Sequence, residues 1–264
     1  MSGNPFYSDR YHYFSPGRLT PAVKMLLLIN GGSYLISSLI GPRLFFGVFG
    51  LNAPAVFSQF KIYQLVTYLF VHAGVLHLLF NMLILWIFGR ELESLWGTPY
   101  FIKYYFVAGI GAGFCSLPFI WGRGIAVVGA SGAIFGLLIA FAVIFPERVV
   151  TLLLFFVLPL QMKAKHLALL FCGLEIIFLI SRGGGEGTAH FAHLGGGLVG
   201  WIYLKWGTIF PRLIPKRFFS KPPPDDRSVL REKINRLLDK LSREGWEGLT
   251  SEEKEELKDA GGRL

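Results

Sequence analysis

Side chains able to do chemistry cluster in three stretches of an otherwise apolar sequence: HAGVLHLLFN, GASG and AHFAHLGGGLVG. Their polar residues are His72, His77, Asn81, Ser131, His190 and His193. A serine beside a histidine is an activated nucleophile, because the imidazole removes the hydroxyl proton and later returns it to the leaving group. The residue types therefore indicate acyl transfer, such as peptide-bond hydrolysis.

Residues around Ser131 and His193 supply the other groups that acyl transfer needs. His77 and Asn81 are four apart, so on a helix they project from one face. Together with the backbone N–H of Ser131 they form a candidate oxyanion hole. Phe135 lies one helical turn after Ser131 and is placed to stack on the ring of His193. The helix of His193 carries no carboxylate near it, so the sequence predicts a Ser131–His193 dyad.

The composition places these groups in a membrane. The mean hydropathy is +0.50, and 53% of residues are hydrophobic against 16% charged, which is far more apolar than a soluble domain. A net charge of +9 would also suit nucleic acid, but the basic residues flank apolar segments or lie in the C-terminal tail, as membrane topology requires. We therefore expect the lipid bilayer, and no nucleic acid, as a partner.

Six apolar segments are predicted to span the membrane as helices, which gives an all-α, polytopic fold. They cover residues 22–40, 76–88, 101–120, 131–145, 166–180 and 189–203. The apolar segment 149–160 is too short to cross and is predicted to be an interfacial or re-entrant loop. The basic residues then fall on one side, so both termini are expected in the cytoplasm and the multi-pass protein in the cell membrane.

This topology brings the chemical groups to one depth. The second, fourth and sixth helices all begin at the non-cytoplasmic side, and their first turns contain His77, Ser131 and His193. Pairs of glycines spaced four apart follow Ser131 and His193, and such pairs let two helices approach closely. The glycines are Gly132, Gly136, Gly196 and Gly200. Ser131 and His193 are therefore expected to touch.

The composition changes after residue 206, and the chain is predicted to have four parts. These are a cytoplasmic leader (1–21), the six-helix domain (22–206), a Pro-rich basic linker (207–227) and a small soluble helical tail (228–264). In the tail, Thr250 and Glu253 are spaced as a capping box. No chemistry is expected from the tail, and the sequence does not identify its partner.

The three stretches, in this order, resemble those of the rhomboid intramembrane serine proteases, and the resemblance covers about residues 22–203. It implies that Ser131 is the nucleophile and His193 the general base. It further implies Gly129 in the GxSG element, His77 and Asn81 in the oxyanion site, His72 as a structural support, and Phe80 at a gate between the second and fifth helices. The segment YQLVT, residues 63–67, departs from the family, since many members carry Trp-Arg there.

These observations predict an intramembrane serine endopeptidase that cleaves transmembrane segments of membrane proteins and needs no cofactor. One alternative is a non-catalytic rhomboid-like protein that binds transmembrane clients. A channel or transporter is disfavoured, because no chain of acids runs through the spans.

Two further features concern ionisable residues inside or near the spans. A zinc site is disfavoured by the histidine spacing, so no metal is expected. The histidines of that alternative are His72, His77, His190 and His193. Glu175 lies in the middle of the fifth span, and two interpretations stay open: an internally paired structural group, or a role in gating or water access.

Overall fold

A computed structural model of the chain describes residues 19–154, 158–181, 188–209 and 226–261. The chain divides into two compact units, Met1–Phe219 and Ser220–Leu264. The predicted leader and the predicted linker fall almost entirely outside the described residues. The four-part division of the chain therefore stays a prediction.

The first unit is largely helical. Its helices are α1 (Pro21–Ile40), α2 (Pro42–Phe49), α3 (Ala53–Ser58), α4 (Gln64–Thr67), α5 (Val75–Ile84), α6 (Arg90–Trp96), α7 (Thr98–Ile120), α8 (Ser131–Ile144), α9 (Ala164–Ser181) and α10 (Thr188–Ile209). A π-helical turn, Leu85–Gly89, joins α5 to α6. Two strands, β1 (Val149–Leu154) and β2 (Leu158–Lys163), lie between α8 and α9.

Four helical segments of the described residues are long and apolar enough to cross a membrane. They are Pro21–Ile40, Val75–Trp96, Thr98–Ile120 and Ala164–Ser181. These helices support an all-α, polytopic membrane protein, whereas the predicted count of six spans stays a prediction. α8 is shorter, with 14 residues, or about 21 Å against a hydrocarbon core of roughly 30 Å.

α8 is apolar on all sides, and other helices enclose it. Ten of its 14 residues are buried, as expected for a helix without a polar face. Two tyrosines of neighbouring elements donate hydrogen bonds to backbone carbonyls in this core. Tyr104 Oη donates to the carbonyl oxygen of Gly136 (2.8 Å), and Tyr68 Oη donates to that of Gly109 (2.6 Å). The bond from Tyr104 thus ties the helix that carries Ser131 to α7.

α8 and α10 approach each other through the predicted glycines. A Cβ added at Gly196 would lie 2.0 Å from the carbonyl oxygen of Gly132, and one added at Gly136 would lie 3.2 Å from the carbonyl oxygen of Gly196. At Gly200 a Cβ would lie 2.4 Å from Tyr104 Oη. The predicted close approach of these two helices is confirmed, and it leaves no room for larger residues at the contact.

The segment 149–160, predicted to be an interfacial or re-entrant loop, contains regular strands. It forms β1 and the first residues of β2, paired antiparallel with Thr151 opposite Gln161. Valine and threonine favour extended backbone. Pro159, opposite Leu153, is tolerated because both strands of a two-stranded sheet are edge strands. The prediction that this segment is not a full helical span agrees with the antiparallel pair, whereas its regular strands were not predicted and its interfacial or re-entrant position stays a prediction.

A buried carboxylate of α6 ties α1, α6 and α7 together. Glu93 accepts hydrogen bonds from the backbone N–H groups of Ala22 (2.8 Å) and Val23 (2.9 Å). Thr98 Oγ1 donates to the same carboxylate (2.6 Å). These donors belong to the first turns of α1 and α7, where a negative charge is stabilising. Glu93 thus has a structural role.

The second unit is a helical hairpin of α11 (Asp226–Glu244) and α12 (Ser251–Gly261). The predicted capping box is confirmed. Glu253 Oε2 accepts from the backbone N–H of Thr250 (2.8 Å), and Thr250 Oγ1 accepts from the backbone N–H of Glu253 (3.3 Å). Lys240 of α11 also donates to Glu253 (2.8 Å), and this hydrogen bond lowers the pKa of Glu253. The two helices of the tail are thus joined by their own contacts.

Candidate active site

Ser131 and His193 form a hydrogen bond near the N-terminal ends of two helices. Ser131 is the first residue of α8, and His193 lies five residues after the start of α10. The distance between Ser131 Oγ and His193 Nε2 is 2.7 Å. The glycine contact between α8 and α10 makes this distance possible. A hydroxyl next to an imidazole nitrogen is the arrangement from which a serine nucleophile is generated.

The other nitrogen of His193 contacts a carboxylate from α9. His193 Nδ1 lies 2.9 Å from Glu175 Oε1, and His190 Nδ1 is hydrogen-bonded to Glu175 Oε2. All three side chains are largely shielded, with exposed fractions of 13% for Glu175, 16% for His190 and 20% for His193. Glu175 is therefore an internally paired group, which was one of its two open interpretations.

Phe135 lies against the face of the His193 ring. The ring centroids are 5.6 Å apart and the planes differ by 3°. Because Phe135 is one turn after Ser131 on α8, this contact holds the imidazole beside the hydroxyl. His193 thus has a neighbour at each nitrogen and an aromatic ring on one face, which together restrict its orientation.

His77 and Ser131 flank the backbone at Gly129. A Cβ added at Gly129 would lie 2.8 Å from His77 Nε2 and 3.6 Å from Ser131 Oγ, and the φ angle of Gly129 is +119°. Only glycine fits this position without strain. The backbone N–H of Ala73 points to His77 Nδ1 (3.4 Å). A neutral imidazole that accepts at Nδ1 carries its proton on Nε2, on the side of the ring that faces Gly129.

Asn81 lies one turn after His77 on α5 and is buried. Its Nδ2 donates to the backbone carbonyl oxygen of His77 (2.7 Å). An amide nitrogen has two hydrogens, so this bond fixes the side chain and leaves the second hydrogen for another acceptor. The predicted placement of His77 and Asn81 on one helical face agrees with this contact.

His72 is a buried ring beside His77. It is 1% exposed. Its ring packs edge-on against that of His77 with centroids 5.0 Å apart. Burial lowers the pKa of His72 to about 4, so the ring is neutral at pH 7. His72 therefore supports His77 by packing.

Phe80 lies on the surface of α5. Its side chain is 53% exposed, which agrees with a position on the lipid-facing or gate-facing side of that helix. The predicted gate between the second and fifth helices stays a prediction.

One group among the described residues could hold a metal ion, and it differs from the four-histidine set considered above. Glu175, His190 and His193 offer ligand atoms that lie within 4.8 Å of one another. Each carboxylate oxygen already faces one imidazole nitrogen at hydrogen-bond distance. The three side chains therefore satisfy one another as a hydrogen-bond network, and an ion would have to separate them.

Glu175 was not assigned to the site from the sequence, although the sequence contains a signal for it. It lies six residues before the end of α9, and His193 lies five residues after the start of α10. At 1.5 Å per residue these offsets are about 9 Å and about 8 Å from adjacent helix ends. A search for a carboxylate at matching depth on the preceding helix makes Glu175 a candidate, whereas a search along the helix of His193 does not include it.

Comparison with known proteins identifies one family. A rhomboid domain model matches residues 59–208, a range that includes Ser131, Glu175 and His193. The chain is 29% identical over 180 residues to the rhomboid protease GluP of Bacillus subtilis (67% of this chain, 31% of that protein). It is 36% identical over 126 residues to rhomboid-like protein 11, chloroplastic, of Arabidopsis thaliana (46% and 41%). It is 32% identical over 152 residues to presenilin-associated rhomboid-like protein A, mitochondrial, of Danio rerio (57% and 39%).

The matched residues make up 31% to 41% of the length of these three relatives. The similarity therefore concerns a part of each relative.

Proposed function

The chain belongs to the rhomboid family, and from this membership we propose that it is an intramembrane serine endopeptidase that cleaves transmembrane segments of other membrane proteins. The observation that carries the proposal is the 2.7 Å contact between Ser131 Oγ and His193 Nε2. Ser131 is the proposed nucleophile and His193 the proposed general base of a dyad. The proposed reaction uses no cofactor.

The proposed reaction begins when Ser131 Oγ attacks the scissile carbonyl carbon. The hydroxyl proton passes to His193 Nε2 as the new C–O bond forms, and the electron pair of the carbonyl π bond moves to the oxygen. Three donors stand near the resulting oxyanion in this proposal: the backbone N–H of Ser131, His77 Nε2–H and the amide of Asn81. His193 then gives its proton to the leaving nitrogen as the C–N bond breaks, and water hydrolyses the acyl-enzyme by the same steps.

The substrate is proposed to be a helix that unwinds near the outer membrane surface. A helix in lipid satisfies its carbonyl groups internally, so a protease must expose the scissile bond by local unwinding. Substrates with helix-weakening residues there are favoured. The family resemblance further implies a small residue before the cleaved bond.

We also propose six spans with both termini in the cytoplasm of a cell-membrane protein. The distribution of lysine and arginine supports this orientation. Arg90 and Arg148, from separate elements of the first unit, lie close together, because both contact Glu91 (3.1 Å and 2.8 Å). A common side for these two arginines agrees with the proposed topology.

The test uses the purified chain in detergent with a model transmembrane substrate, and mass spectrometry locates any cut. We expect cleavage by the wild type, none by Ser131→Ala or His193→Ala, and labelling of Ser131 by a serine-directed phosphonate. A strong chelator should have no effect.

Two results would contradict this proposal. Binding of the substrate without cleavage by the wild type would favour the alternative, a non-catalytic rhomboid-like client-binding protein. Chelator inhibition that zinc reverses would instead favour a metal site at Glu175, His190 and His193.

A further inference from the structure

Glu175 is an ionisable residue within a helix long and apolar enough to cross a membrane. Its side chain is 13% exposed, and it lies near the middle of α9. A carboxylate at such a position is costly unless it is paired and hydrogen-bonded. Its two oxygens contact Nδ1 of His193 and Nδ1 of His190. Glu175 is therefore placed against the imidazole that contacts Ser131.

The contacts of His193 determine which of its nitrogens carries the proton. In the resting site Nε2 must accept the hydrogen of Ser131 Oγ if the hydroxyl is to be a nucleophile. A neutral imidazole that accepts at Nε2 is protonated at Nδ1. Nδ1–H then donates to Glu175 Oε1 at 2.9 Å. Serine, histidine and glutamate thus form one continuous hydrogen-bonded chain.

We propose that Glu175 is a positioning residue of the active site and converts the Ser131–His193 dyad into a Ser131–His193–Glu175 triad. This proposal rests on the proposed serine protease function. The carboxylate holds the tautomer of His193 that can accept the serine proton. After that proton reaches Nε2, His193 is a cation with N–H groups at both nitrogens, and the ionised carboxylate stabilises it. Glu175 itself keeps its charge throughout and exchanges no proton.

His190 holds the second oxygen of Glu175 and does not contact Ser131 in this proposal. It donates from Nδ1 to Glu175 Oε2, and its ring stacks on Phe178 with centroids 5.7 Å apart. A carboxylate fixed through one oxygen has less rotational freedom, so its other oxygen stays in line with His193. His190→Leu should therefore reduce kcat by only about threefold to tenfold, because Glu175 remains beside His193.

A purely structural role for Glu175 is the competing interpretation, since the carboxylate also joins α9 to α10. The two roles differ in what they affect. A structural tie changes stability and substrate binding, whereas a positioning residue changes the chemical step after binding. Glu93→Gln is the matched control, because Glu93 is a buried carboxylate whose described contacts tie helices together away from Ser131.

The experiment measures kcat, KM, thermal unfolding and the rate of phosphonate labelling of Ser131 in the full chain. For Glu175→Gln we expect kcat to fall by roughly a hundredfold or more with KM within about threefold, since an amide no longer fixes the tautomer. Labelling of Ser131 should slow in parallel. Glu175→Asp keeps a carboxylate on a side chain one methylene shorter, and its kcat should be at least about tenfold higher than that of Glu175→Gln. Glu93→Gln should lower the unfolding temperature with kcat near that of the wild type.

The outcomes separate this proposal from the proposed function. Cleavage by the wild type, with kcat and labelling unchanged in Glu175→Gln, would overturn the triad and leave the dyad. Equal losses in Glu175→Gln and Glu175→Asp, matched by lower unfolding temperatures, would assign Glu175 a structural role. Cleavage that persists in Ser131→Ala would overturn both proposals together.

Discussion

Asn81 is the residue whose chemistry can be tested most directly by a single substitution. One of its amide hydrogens is used in the bond to the carbonyl oxygen of His77. If the second hydrogen stabilises the oxyanion, Asn81→Ala should lower kcat by about a hundredfold to a thousandfold with KM little changed, the range observed when one oxyanion donor is lost. Steady-state kinetics on a transmembrane substrate measures both parameters.

Asn30 offers a matched control for this measurement. It is buried in α1 and makes the same local hydrogen bond, from Nδ2 to the carbonyl oxygen four residues earlier, Leu26 (2.8 Å). Asn30→Ala should therefore reduce stability to a similar extent while kcat is preserved. A rise in KM alone for Asn81→Ala would assign Asn81 to substrate binding instead.

At the residue scale the sequence predicts proximity well where one periodicity connects the partners. Ser131 and Phe135 are one turn apart on the same helix, and the topology places His193 at their depth, so their contact follows from spacing and parity. Glu175 comes from a third helix, and its rotation about that helix axis depends on packing that the sequence pattern does not specify. Its pairing with His190 and His193 therefore required the structure.

The contact between α8 and α10 is the feature at the element scale on which the site depends. A Cβ at Gly196 would lie 2.0 Å from the carbonyl oxygen of Gly132, and backbone cannot yield as a flexible side chain can. Gly196→Ala should therefore push the helices apart, destabilise the protein by about 1–3 kcal/mol, and separate Ser131 from His193. We expect cleavage to fall by at least about tenfold, as measured with thermal unfolding on the same preparation.

Gly173 provides the comparison for this substitution. It is a helical glycine of α9, and a Cβ there would meet nothing within 4 Å. Gly173→Ala should be tolerated, because alanine favours the helix by about 0.5–1 kcal/mol relative to glycine. Loss of activity of equal size in both variants would indicate that helix flexibility, rather than the close approach of α8 and α10, is what the glycines provide.

Elements defined by length and composition were predicted closely, and the hairpin was not. Helices α7 and α9 begin and end within a few residues of the predicted segments 101–120 and 166–180. The segment 149–160 is apolar throughout, so it has neither the alternation of a half-buried strand nor the period of an amphipathic helix. Its pairing partner extends to residues 161–163, where the polar Gln161 and Lys163 interrupt the apolar pattern.

For the whole molecule, the arrangement of helices links the membrane topology to the chemistry. The candidate site uses residues from α5, α8, α9 and α10, which are separated by long stretches of sequence. These residues can meet at one depth only if the chain crosses the membrane an even number of times from the start of α5 to the start of α8. The same holds from the start of α8 to the start of α10. The contacts among Ser131, His193 and Glu175 therefore favour a hairpin rather than a seventh span between α8 and α9.

The division into two units predicts how the chain responds to truncation at residue 221. Each candidate residue of the site lies in the unit Met1–Phe219, and the unit Ser220–Leu264 has its own helices. Its capping box and the Lys240–Glu253 hydrogen bond are contacts within the tail. A chain that ends after Lys221 should therefore fold and cleave a model substrate with kcat within about threefold of the full chain, a difference of less than ~1 kcal/mol in activation free energy.

The truncation is best measured beside the same truncation carrying Ser131→Ala, which identifies any contaminating protease. Thermal unfolding of the truncated chain shows whether the membrane domain is intact. If the truncated chain is well folded but has lost cleavage, the tail takes part in catalysis or in substrate delivery, and the assignment of all chemistry to the first unit is wrong. If cleavage is retained, the tail acts outside the chemical step, and its capped helical hairpin is available for a partner that affects neither kcat nor the fold of the membrane domain.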